Sequence, residues 1–204
     1  MKPMETYDVL REAFAFFNKE LFGGKLSDSM ILLHRHRSAF GYFWADRFGQ
    51  NGSKTTVHEI ALNPSHIRVR KPKETFSTLV HEMLHQYQQE HGKPPKGAYH
   101  NKQWAEMMKD VGLHPSDTAK PGGAETGRYV SHYIVPEDPY DRAYEKFSKK
   151  YDMSLFGDLP DPKKKGRGKT SKFKFVCPDC GQNAWAKVTA KLVCGDCDLD
   201  MEEA

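Results

Sequence analysis

No apolar run in this 204-residue chain approaches the roughly 18–20 residues that a bilayer-spanning helix requires, so no membrane helix is expected. Met1-Lys2-Pro3-Met4-Glu5 leads into a helical pattern without a continuous apolar stretch. No secretory signal is therefore expected, and a cytoplasmic setting is the default. Cysteine is scarce, with four in all and none before Cys177, which excludes a disulfide framework for the body of the chain. Internal repeats are absent. Acids are missing from Lys163 to Lys174, where seven bases stand: Lys163, Lys164, Lys165, Arg167, Lys169, Lys172 and Lys174. Bases are missing after Gly195, where Asp196, Asp198, Asp200, Glu202 and Glu203 follow. The net charge of +4 thus hides an uneven distribution. A basic strip of this kind attracts single-stranded or damaged DNA through counterion release, or it is a solvated linker held open by self-repulsion. Both readings stand on the sequence.

What is present suffices for one domain with a core and a small attachment. Leu10, Phe14, Phe17 and Leu21 recur at steps of three and four, which predicts an amphipathic helix over 5–22, stopped at Gly23-Gly24. Strands are expected at Ser29–His34, around Phe40–Trp44 and at Glu59–Asn63, with a turn at 49–53. From Glu74 to His91, Phe76, Val80, Met83, Leu84 and Tyr87 share one helical face, with Thr75 as N-cap and Gly92 at the end. A further helix is expected over 101–111, a Gly-rich loop over 119–128, a strand at Tyr129–Val135 and a last helix within 139–156.

The helix from Glu74 to His91 carries His81-Glu82-Met83-Leu84-His85. Histidines at i and i+4 can hold one Zn²⁺, with the intervening glutamate beside the metal as general base. The alternative is two solvated surface histidines. Catalytic zinc sites take three protein ligands. His91 has a suggestive spacing, but Gln88 stands where a chain-reversing glycine would be needed, so His91 points elsewhere if the helix continues. His100 is better placed, after a Gly-Lys-Pro-Pro-Lys-Gly loop and at the start of the next helix. His114 and His132 are weaker choices for a ligand. Tyr99, His132 and Tyr133 are also unranked candidates for substrate or oxyanion contacts.

His81-Glu82-Met83-Leu84-His85, then Gly97-Ala98-Tyr99-His100 leading into Trp104, resembles the SprT-like metallopeptidases. Phe17-Asn18-Lys19-Glu20-Leu21-Phe22 with Gly24 and Leu26, and Ile60-Ala61-Leu62-Asn63, are similar to the same family. The resemblance implies an α+β, zincin-like fold with a small sheet packed on the active-site helix. It implies catalytic zinc on His81, His85 and His100, with Glu82 as the base, and an endopeptidase acting on protein substrates. It also implies a link to DNA-bound or DNA-crosslinked proteins. A non-catalytic zinc-containing nucleic-acid-binding or regulatory protein is the competing reading.

Cys177-Pro178-Asp179-Cys180 and Cys194-Gly195-Asp196-Cys197 are separated by thirteen residues. Two such knuckles supply four thiolates for one structural zinc, a zinc ribbon. Short strands are expected at 184–188 and 191–193. Phe173, Phe175 and Trp185 either stack on nucleic acid or cover the small core, and Trp185 is assigned to the core. The expected organisation is a metallopeptidase domain over 1–157, a basic linker over 158–171 and the ribbon over 172–204.

Overall fold

The computed structural model describes residues 3–151, 153, 155–159 and 172–203. The chain divides into two compact units, residues 1–159 and 160–204. The first has mixed α and β structure. Helix α1 (Pro3–Phe22) is followed by β1 (Ser29–Leu33), β2 (Gly41–Gly49) and β3 (Thr56–Leu62). These strands form one sheet in the order β1-β3-β2, with β3 parallel to β1 and antiparallel to β2. A short α2 (Pro64–Ile67) leads to the long α3 (Pro72–His91). Then come α4 (Lys102–Asp110), the two-stranded ladder of β4 (Leu113–Ser116) and β5 (Ser131–Ile134), and α5 (Pro139–Lys150).

Pleating sends Ile31 and Ile60, which pair across β1 and β3, into the core together with Leu62. The apolar stripe of α1, chiefly Leu10, Phe14 and Phe17, enters the same core. Phe17 and Phe76 meet Phe147 of α5 with ring centroids 5.4 Å apart in each pair. Helix α3 runs between these layers. It is buried on nearly every side, from Thr75 through Leu84 and again at Gln86 and Gln88. The sequence pattern marks only one apolar face, but the polar face is covered as well.

The start of α3 differs from expectation. Pro72 occupies its first turn, where a missing N–H costs nothing, and the Glu74 carboxylate accepts the Lys71 backbone N–H at 3.2 Å. Thr75 is therefore inside the helix, not its cap. Its buried hydroxyl has no hydrogen-bond partner among the described residues. Asn101 caps α4 by accepting the Trp104 N–H at 2.9 Å.

The end of the first unit is anchored. Asp158 donates its N–H to the Pro64 carbonyl at 2.9 Å, and its carboxylate receives both Arg35 donors at 2.7 Å. The rest of the expected linker, from residue 160 to 171, lies outside the described residues. So do Lys163, Lys164, Lys165, Arg167 and Lys169. No helix among the described residues is long and apolar enough to cross a membrane.

The second unit is a small antiparallel sheet of β6 (Phe173–Val176), β7 (Asn183–Ala186) and β8 (Glu202–Glu203), in the order β7-β6-β8. The strand expected at 191–193 does not form. Val193 makes only an isolated bridge to Asp200, because the second knuckle turns the chain there. Trp185 is 60% exposed, and Phe175 with Cys177 and Cys194 forms the buried centre instead.

Candidate metal centres

Two side-chain clusters have the composition of metal sites: His81, His85 and His100 in the first unit, and Cys177, Cys180, Cys194 and Cys197 in the second. Within each, one ligand atom per residue lies within 4.8 Å of all the others.

Helical geometry places His81 and His85 one turn apart on α3, with ring centroids separated by 5.1 Å. His100 comes to them from the segment before α4. It is locked there by two backbone hydrogen bonds with Gly127, at 2.7 and 3.0 Å, and its Nδ1 donates to the Gly127 carbonyl at 3.1 Å. The Gly-rich loop thus holds the third imidazole, a role its composition does not announce. With Nδ1 carrying the proton, the Nε2 lone pair of His100 is free for a cation. Trp104, fully buried, forms a floor beneath all three rings. Its centroid is 5.0 Å from His81, 5.3 Å from His85 in a stacked arrangement, and 4.2 Å from His100.

The other histidines are elsewhere. His91 ends α3 and bonds the Lys25 carbonyl at 3.0 Å, so the continuing helix does turn it away. His114 pairs with Asp138 at 2.6 Å. His132, considered above as a ligand or substrate contact, instead lies behind His81. The two Nδ1 atoms are 3.2 Å apart, and His132 Nε2 is 2.8 Å from Ser77 Oγ. Tyr99 is exposed and Tyr133 stacks on His114.

Burial dominates the electrostatics. It drives the His81 pKa well below that of free imidazole, with His85, His132 and His100 adding to the effect. It brings His85 down to about 3, assisted by His100. His132 is also held at about 3, by burial first and then by the Arg70 guanidinium. His100 is lowered by burial against the opposing Gly127 hydrogen bond. His85 and His132 keep some accessible surface, but their rings are packed among protein atoms deeply enough for desolvation to prevail. Neutral imidazoles are the form that ligates metals. Burial alone pushes the Glu82 carboxyl up to about 8. A cation at the imidazoles would draw it back toward the charged form. Three nitrogen donors with no carboxylate among them suit zinc better than a hard oxygen-seeking ion, so the residues present fit that group.

Strand β2 passes close to Glu82 because Gly41 has no side chain. A Cβ there would come 2.8 Å from the Ala61 carbonyl oxygen, 2.9 Å from the Thr78 methyl and 3.2 Å from Glu82 Oε1.

In the second unit, Cys180 and Cys194 sulfurs are 3.6 Å apart. That is far too long for a disulfide and close to the ~3.8 Å edge of a tetrahedron with zinc–sulfur bonds of about 2.3 Å. The knuckles repeat one geometry. Cys177 N–H donates to Gln182 and Gly181 N–H to Cys177, while Cys194 N–H donates to Leu199 and Asp198 N–H to Cys194. The equivalent positions Gly181 and Asp198 are both left-handed, with φ of 71° and 56°. Backbone N–H groups, that of Cys180 first, draw the Cys177 thiol down to about 7, whereas Cys197 is pushed up, chiefly by Cys180. Four sulfurs gathered in this way are a fit environment for a dication.

Residues 10–121 match the sequence profile of the SprT-like family. The chain is also 43% identical over 56 residues to an uncharacterized protein in the mucB 3' region of Salmonella typhimurium, a stretch covering 28% of this chain and 76% of that protein. The family match contains His81, Glu82, His85 and His100, whereas His132 and the four cysteines lie beyond it.

Proposed function

This chain belongs to the SprT-like family, and on that premise we propose that it is a zinc-dependent endopeptidase with a structural zinc in its C-terminal ribbon. The observation that supports this reading is the convergence of His81, His85 and His100, with buried Glu82 next to His81 in the same helix and not needed as a ligand. Zinc held by the three imidazoles supplies Lewis acidity, polarising a peptide carbonyl and acidifying a water. Glu82 accepts the proton of the attacking water and delivers it to the departing amine. With the cation in place the carboxyl is drawn back toward its charged form, the state in which it can accept that proton. Trp104 and the Gly127 carbonyl keep the imidazoles in place while charge is redistributed.

A protein substrate linked to DNA is the finer part of this reading. It is supported by the run of bases from Lys163 to Lys174, of which Lys172 and Lys174 are described and exposed. Exposed Trp185 in the ribbon adds a stacking surface.

The test compares wild type with Glu82→Gln on casein and on a protein crosslinked to single-stranded DNA, with zinc content measured in parallel. Glu82→Gln keeps its zinc and loses at least ~100-fold in kcat, in line with removal of a general base. Equal cleavage by the two proteins would sink the peptidase reading. Equal cleavage of free and DNA-linked substrate by the wild type would remove the DNA link alone.

A further inference from the structure

We propose that His132 is a positioning residue of the metal centre, fixing His81 in the tautomer whose Nε2 faces the cation. The proposal rests on the three-histidine zinc reading, and its argument is a count of protons along one chain of hydrogen bonds. Ser77 Oγ is 2.9 Å from the Glu74 carbonyl, which can only accept, so the single hydroxyl proton of Ser77 goes there. Ser77 Oγ is then an acceptor for His132 Nε2–H at 2.8 Å. A neutral His132 carries one ring proton, so its Nδ1 is a lone pair. That lone pair faces His81 Nδ1 at 3.2 Å, and the proton between them belongs to His81. His81 Nε2 is left unprotonated and available to ligate. His100 reaches the same state through the Gly127 carbonyl.

The fold builds this arrangement from distant pieces. Ser77 and His81 are one turn apart on α3, while His132 is presented by β5, paired with β4 at the Pro115 position. A serine inside a helix commonly returns its hydroxyl to the preceding turn. Here that habit sets the direction of the whole chain. Were Ser77 to donate to His132 instead, the proton on His132 Nδ1 would occupy the His81 contact and His81 would carry its proton on Nε2, closed to a cation.

The experiment titrates zinc against a competing chelator in the full-length chain, reading the histidine site as the equivalent that lacks thiolate-to-metal charge transfer when cobalt(II) is substituted. His132→Phe, which keeps a ring and removes the acceptor, is expected to weaken that equivalent about 10–100-fold. His132→Asn places a carbonyl oxygen where Nδ1 stood and recovers most of the loss. Ser77→Ala releases the tautomer and gives a smaller loss, which supports the proposal even if His132→Phe fails to fold. The ribbon equivalent stays unchanged throughout. Unaltered affinity in folded His132→Phe, or equal losses in the Phe and Asn variants, overturns the proposal. If wild type binds no cation at this site, the zinc reading fails and takes the proposal with it. If cation binding follows the expected order while Glu82→Gln still cleaves, only the peptidase reading fails.

Discussion

Glu82 of α3 and Gly41 of β2 meet where helix and sheet approach closely. Among the three atoms that a side chain at Gly41 would meet, the Ala61 oxygen is backbone and is held in the β2–β3 ladder, so it cannot swing aside. Gly41→Ala therefore has to lift β2 from α3 at the level of Glu82. The expected cost is about 1–3 kcal/mol of stability, as for other overpacked positions, with a loss of activity greater than the stability loss explains. Chemical denaturation together with kcat/KM checks this, and wild-type activity in a folded variant would show that the spacing is not needed. The sequence places Gly41 in an expected strand, but nothing in it marks the close approach to Glu82. His132 is similarly silent, since its role depends on a fold contact across 51 residues with His81. His81, Glu82 and His85 are legible because helical periodicity alone relates them. His100 is legible as a histidine at a helix start, but its Gly127 partner is not.

At the scale of elements, the long helices follow directly from their apolar spacing, and the discrepancies are at ends and short pieces. Local capping by Pro72 and Glu74 outweighs the apparent cap at Thr75. Helix α2 and strand β4 are four residues each, too short for a period to declare itself, and both depend on their neighbours. In the ribbon, its large apolar ring assigns Trp185 to the core, yet it shares a face of β7 with exposed Asn183, and that face is in solvent. Phe175, on central β6, is 6% exposed. Phe175→Ala is expected to destabilise the ribbon by about 3–5 kcal/mol, as for other buried aromatics, and to weaken its zinc affinity. Trp185→Ala should change ribbon stability by under about 1 kcal/mol. Competition for zinc and near-ultraviolet circular dichroism of the full chain separate the two. Equal losses would return Trp185 to the core.

The two units are stabilised by different physics, and metal removal should reveal it. The first has a continuous apolar core in which Phe17, Phe76, Trp104, Tyr140 and Phe147 are fully buried. The second buries little beyond Phe175, Cys177 and Cys194 around a three-stranded sheet whose last strand has two residues. So small a core cannot offset the entropy of ordering its chain, so a dication bound by the four thiolates would supply the folding free energy. A strong chelator is therefore expected to abolish cleavage and to unfold the ribbon, while the first unit keeps its helical circular dichroism and its cooperative thermal transition. Restoring zinc should return one equivalent to each cluster, with release of protons from the cysteines as they ligate. Loss of helical signal together with the ribbon would show that the first unit also needs a metal to fold. A stable apo ribbon would show that its small sheet has more intrinsic stability than its buried surface explains.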